Sequence, residues 1–151
     1  MITAPESIQY SIQLALAPVF LLTAVATLVA AITTRLARTV DRMRFVQNEL
    51  AANEVLSEKL KHHYESELIE YKMRSRLCTL AIFFDVLSGV FISLTVLELF
   101  LGQTAVGIQI HSLFAIATFV AGIIAFTISL ITILIEVIYA YRSTSWHHPY
   151  V

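Results

Sequence analysis

The sequence predicts an all-α integral membrane protein, with three transmembrane helices and a long cytoplasmic helical hairpin between spans one and two. Three observations carry that prediction. Of 151 residues, 58% are hydrophobic and 14% charged, where soluble domains run at roughly 45–50% and about 25%. The mean hydropathy of +0.77 agrees. Three stretches reach the ~20 apolar residues that cross a bilayer, and the basic residues fall almost entirely between the first two of them. A net charge of -1 offers no basic bias of the kind nucleic-acid binding needs. The single cysteine excludes a disulfide framework and a Cys-rich metal or cluster site. The chain, 1–151, is expected to form a single membrane domain.

Span one covers about 12–33 and holds no charged residue. It lacks a basic leader and runs directly into an Arg-rich segment, so it reads as a retained anchor rather than a cleaved signal. Thr3 and Glu6 stand at capping-box spacing with Pro5 in the first turn, which marks a helix start. Pro18 is expected to kink this helix near its outer end. Ala24, Thr27, Ala31 and Thr34 form a stripe of small residues along it.

The hairpin covers about 35–76. From Val19 to Ser88 there is neither proline nor glycine, so span one should continue without a break into a cytoplasmic helix. The chain must nevertheless return to begin span two. One bend is therefore needed. Ala51-Ala52-Asn53 is the expected place, because Asn tolerates left-handed geometry and caps helices. Leu36, Val40, Met43 and Leu50 follow heptad-like spacing on the first arm, and Leu56, Leu60, Tyr64, Leu68 and Tyr71 form the facing stripe on the second.

Charge along the hairpin is segregated. Arg35, Arg38, Arg42 and Arg44 with Asp41 sum to +3 beside span one, and Lys72, Arg74 and Arg76 give +3 beside span two. Lys59 and Lys61 against Glu49, Glu54, Glu58, Glu65, Glu67 and Glu70 leave -4 in the distal part. This pattern reads as a lipid head-group or ion-pair collar with an acidic tip in water. Arg35, Arg38 and Arg42 fall within about 60° of one another on a helix. Asp41, three residues from both Arg38 and Arg44, is placed to pair with either.

Span two, about 77–100, carries Asp85 and Glu98; span three, about 111–139, meets its first acid at Glu136. Nine of the ten Lys and Arg residues lie between Arg35 and Arg76, and the tenth is Arg142. The positive-inside rule then puts the N-terminus outside and both the hairpin and the C-terminus in the cytoplasm. Tyr139, Tyr141, Trp146 and Tyr150 suit an aromatic belt on that side.

Span three also shows a seam. His111, Ala115, Thr118, Gly122, Ala125, Ser129, Thr132, Glu136 and Tyr139 recur in steps of four and three. Small residues at that spacing let helix backbones approach and let hydroxyls bond across the interface. With Asp85, Ser88 and Thr95 of span two, these positions form either a packing seam or a polar path through an oligomer. An acid inside a membrane is costly unless paired. Glu136 is expected to pair with Arg35 or Arg38, Asp85 has no evident cationic partner, and Glu98 is expected to be solvated at the outer interface.

Thr34-Arg35-Leu36-Ala37-Arg38-Thr39-Val40-Asp41-Arg42-Met43-Arg44 follows a span containing Ala17-Pro18. This R-L-x-R-x-x-D-R-x-R motif, with a later span ending in an acid at Glu136, resembles a family of small bacterial membrane proteins known as a domain of unknown function. The resemblance covers essentially the whole chain. It implies three spans and a bacterial inner membrane, and it brings no activity to transfer.

No Walker loop, dinucleotide fingerprint or HExxH motif is present. His62-His63 and His147-His148 are adjacent pairs, which do not share a helix face as i, i+4 ligands would. No enzyme activity and no cofactor are expected. The expected partners are anionic lipid head groups and either a second copy of the chain or a membrane complex. Three functions fit: a structural or accessory component assembling through small-residue seams, a homo-oligomeric ion channel lined by intramembrane acids, and a lipid-sensing or signalling module using the Arg collar.

Overall fold

In the computed structural model the described residues are 4–52, 58–101 and 108–145, and all are helical. The helices are α1 (Ala4–Ala52), α2 (Glu58–Leu101) and α3 (Ile108–Ser145). Each contains a segment long and apolar enough to cross a membrane. Thr3, Asn53, Leu56, Trp146, His147, His148 and Tyr150 lie outside the described residues, as do all of residues 53–57 between α1 and α2.

α1 runs for 49 residues, more than twice the ~20 that a span needs. The absence of glycine and proline after Pro18 explains its length. Pro18 lies inside the helix, which continues through it although proline cannot donate to the carbonyl four residues back. The long Ala-, Leu- and Arg-rich stretch therefore ends at Ala52, next to the expected bend. α3 extends beyond span three at both ends.

The chain divides into two compact units: Met1–Val29 with Phe83–Ile128, and Ala30–Ile82 with Ser129–Val151. In the first, α1 meets α2 where Val25 faces Gly89, and α2 meets α3 where Phe91 and Ile92 face Gly122. A Cβ on Gly122 would stand 3.0 Å from Ile92 Cγ1, so glycine is what permits this approach of two backbones. In the second, Ser129 Oγ of α3 donates to the Ala81 carbonyl of α2 at 2.9 Å.

Burial repeats every seven residues along each helix. Pro18, Val25, Ile32, Thr39 and Val46 are buried in α1. In α2 the buried positions are Cys78, Ala81, Asp85, Ser88, Ile92 and Thr95. In α3 they are Ala115, Gly122, Ala125, Ser129 and Glu136. This is the spacing of a coiled-coil seam. The outward faces carry Phe20, Phe83, Leu113, Ile116 and Leu134, as suits a surface in contact with lipid tails.

Two expectations change here. The small-residue stripe of α1 does not enter the core: Ala24, Thr27, Ala31 and Thr34 are all exposed. Their place is taken by larger residues one position on, Val25 and Ile32, and Val25 packs against the bare backbone at Gly89 of α2. On the hairpin arms, Leu36, Val40, Met43 and Leu50 are only half-buried and Leu60 is exposed. The core positions there are Thr39 and Val46.

Candidate functional site

The most distinctive polar site lies in the second unit, where charged side chains of all three helices meet. Glu136 of α3 is 2% exposed, and its two oxygens take different partners. Arg74 of α2 donates from Nε to Oε1 at 3.1 Å. Arg35 of α1 brings Nη2 to 2.9 Å from Oε2, an ion pair outside the angle of a directed hydrogen bond. The expected pairing with Arg35 is present, and Arg74 stands where Arg38 was the alternative. Two guanidiniums on one buried carboxylate offset its desolvation.

Beside this triad is a pocket of about 420 Å³ lined by Arg35, Arg38, Thr39, Arg42, Tyr71 and Arg74. Helical periodicity explains which basic residues join it. Arg35, Arg38 and Arg42 share a face of α1, whereas Arg44 lies about 180° round from Arg35. On α2, Tyr71 and Arg74 share a face that Lys72 and Arg76 do not. Arg44, Lys72, Arg76 and Asp41 are exposed and outside the pocket. No ion pair joins Asp41 to Arg38 or Arg44 among the described residues.

Within the pocket each wall is held. Thr39 donates its hydroxyl to the Arg35 carbonyl at 3.0 Å. Arg42 hydrogen-bonds to Tyr71, which raises its already high pKa, and Glu67 and Tyr64 add to the effect. Its guanidinium also stands 5.1 Å from the centroid of the Phe45 ring, within cation–π range. Arg38 has no ion-pair partner among the described residues. Thr39 and Tyr71 were not singled out as site residues from sequence. The signal was present, since Tyr71 is one turn from Arg74 and Thr39 is one residue from Arg38.

The first unit solves its polar burial differently. Thr118 donates to Oε2 of Glu98 at 2.9 Å and lies 3.0 Å from the Thr95 hydroxyl. Glu98 is therefore tied into an interhelical hydrogen-bond chain rather than simply solvated. Asp85 is 0% exposed, and neither of its carboxylate oxygens has a hydrogen-bond partner among the described residues. The Ser88 hydroxyl, one turn away, is in the same situation. Thr132 is half-buried and has an interaction partner. The side chain of His111 lies outside the described residues. Among the described residues, no three His, Cys, Asp or Glu side chains gather where a metal ion could be held.

Residues 15–145 match a family described as "Protein of unknown function (DUF2721)". No curated protein and no solved structure shows significant similarity to the chain.

Proposed function

The chain belongs to that family, and from this premise we propose that it is a bacterial inner-membrane protein acting as a structural or accessory component that assembles through small-residue helix seams. Its N-terminus lies outside, with the hairpin and C-terminus in the cytoplasm, as the distribution of Lys and Arg requires. The observation that carries the reading is the exposed stripe Ala24, Thr27, Ala31 and Thr34 on α1. The small residues of α3 are spent on packing within the chain. Those of α1 remain open to another helix.

Between lipid-facing helices there is little hydrophobic gain in association, so close backbone approach at small residues is what drives it. The hydroxyls of Thr27 and Thr34 bond back to their own helix at 2.8 and 2.9 Å, which leaves a smooth, self-satisfied groove for a neighbour. Cysteine crosslinking in native membranes tests this. Ala31→Cys in a Cys78→Ala background should give a crosslinked product, to a second copy or to a complex subunit. Product at a bulky outward-facing position off that stripe, such as Leu134→Cys on α3, but not at Ala31→Cys would overturn it.

A second reading, a homo-oligomeric ion channel, draws support from Asp85 and Ser88, which are buried without partners among the described residues. Buried polar groups inside a span commonly mark ion pathways. Glu136 gives that reading less support, since two arginines already hold its carboxylate. Reconstituted protein that passes ions, with flux altered by Asp85→Asn, would favour the channel over the accessory role.

A further inference from the structure

We propose that the arginine-lined pocket between the hairpin arms is a binding site for a phosphate-bearing ligand. The inference is independent of how the chain assembles, because every residue of the pocket belongs to one chain and one unit.

Four guanidiniums, those of Arg35, Arg38, Arg42 and Arg74, line a pocket of about 420 Å³. Two carboxylates stand against them: Glu136, buried and ion-paired with Arg35 and Arg74, and Glu67, whose charge acts on Arg42. Counting four cations against two anions leaves +2. Like charges gathered this way repel, and their repulsion is relieved by a multiply charged anion. Guanidinium presents paired N–H donors whose geometry matches two oxygens of a phosphate. A single carboxylate offers two oxygens and one charge, too few for the donors present. A phosphate group offers more of both.

The walls are built rather than loose. Glu136 fixes Arg35 and Arg74 from behind, and Tyr71 fixes Arg42 by a hydrogen bond. Holding guanidiniums in place before the ligand arrives reduces the ordering cost of binding. Arg38, without an ion-pair partner among the described residues, supplies donors not already committed. The arginines that the helix periodicity turns away, Arg44 and Arg76, are exposed and do not line this pocket.

Position suits two sources of phosphate. Span one ends at about 33, so Arg35 and Arg38 lie roughly 3 and 8 Å further along the helix axis. That is the depth of the head-group layer, about 5–8 Å on each side of the hydrocarbon. A phospholipid head group could enter there, and so could a soluble phosphate from the water beyond.

The test uses the full chain in uncharged detergent, probed with phosphatidic acid in mixed micelles and separately with inorganic pyrophosphate. Native mass spectrometry counts bound probe, and the shift in unfolding temperature reports occupancy. Wild-type protein should retain at least one of the two probes. Arg38→Gln with Arg42→Gln should weaken it by about tenfold for each guanidinium removed. Neither residue contacts Glu136, so the triad remains, and unchanged thermal stability without probe confirms the fold. Arg44→Gln with Lys72→Gln, outside the pocket, should leave affinity within about twofold. Retention of phosphatidic acid alone assigns a lipid head group, and retention of pyrophosphate alone assigns a soluble ligand. Two results would overturn the proposal: no retention of either probe by wild-type protein, or equal losses in the pocket and control variants.

Discussion

Among the described residues the two units bury one acid each, and they do so by opposite means. Glu136, in Ala30–Ile82 with Ser129–Val151, is 2% exposed and held by two arginines. Asp85, in Met1–Val29 with Phe83–Ile128, is 0% exposed and has no partner among the described residues. Both occupy the inward seam of their helix. The difference teaches that position on the seam sets burial, whereas reach of a cation sets what the acid does there. Arg74 lies at the head of the same face that leads to Cys78 and Ala81. Span two has no basic residue beyond Arg76, so nothing comparable reaches Asp85.

The comparison breaks most sharply at Glu136. Glu136→Gln leaves two guanidiniums without their counter-ion, and the unfolding free energy should fall by about 2–3 kcal/mol. That is below the roughly 3–5 kcal/mol typical when one partner of a buried pair is removed, because Arg35 is 44% exposed and its solvent screens the loss. Titration with a denaturing detergent measures it. A cycle combining Glu136→Gln with Arg74→Gln should show coupling of about 1–2 kcal/mol, since Arg74 is the less exposed partner at 23%.

In the other unit the largest effect should come from volume rather than charge. Gly122→Leu forces atoms against Ile92 and Phe91 and should cost about 1–3 kcal/mol. Gly89→Ala places a Cβ 3.4 Å from Val25 Cγ1, an ordinary contact. It should be neutral or slightly stabilising, because alanine favours the helix. A Gly89→Ala variant destabilised as much as Gly122→Leu would show that the helices pack more tightly there than described.

Asp85→Asn should destabilise less than either Glu136→Gln or Gly122→Leu, by under about 1 kcal/mol. The substitution keeps the shape and breaks no ion pair. A loss equal to that of Glu136→Gln would reveal a charged partner and erase the contrast between the units.

Much of this was legible in the sequence. The three spans, the charge-free first of them, the inward seam of α3 from Ala115 to Glu136 and the Arg35–Glu136 pairing all follow from hydropathy, helical period and the cost of an unpaired buried charge, whereas Tyr139, expected on the same seam, is exposed. The face that α1 buries was not legible. In a soluble helix Val25 and Ile32 would announce the core by being apolar. In a membrane both faces are apolar, so a rule that small residues mark the interface chose Ala24, Thr27, Ala31 and Thr34 instead. The rule succeeded on α3, where Gly122 is the residue that admits Ile92. It failed for packing within the chain on α1, where the small partner sits on the other helix: Val25 of α1 faces Gly89 of α2. The pocket was half legible. The shared face of Arg35, Arg38 and Arg42 could be counted from spacing, but the contribution of Tyr71 and Arg74 required knowing how the two arms align.

That exposed stripe on α1 is where the proposed function stands or falls, and native mass spectrometry after gentle extraction from the source membrane tests it most directly. An accessory role predicts a dimer or stoichiometric association with a larger complex, lost when Ala24→Leu and Ala31→Leu are combined and accompanied by no change in the stability of the chain itself. A closed ring of four or more copies that conducts ions, or a bare monomer indifferent to those substitutions, would contradict it.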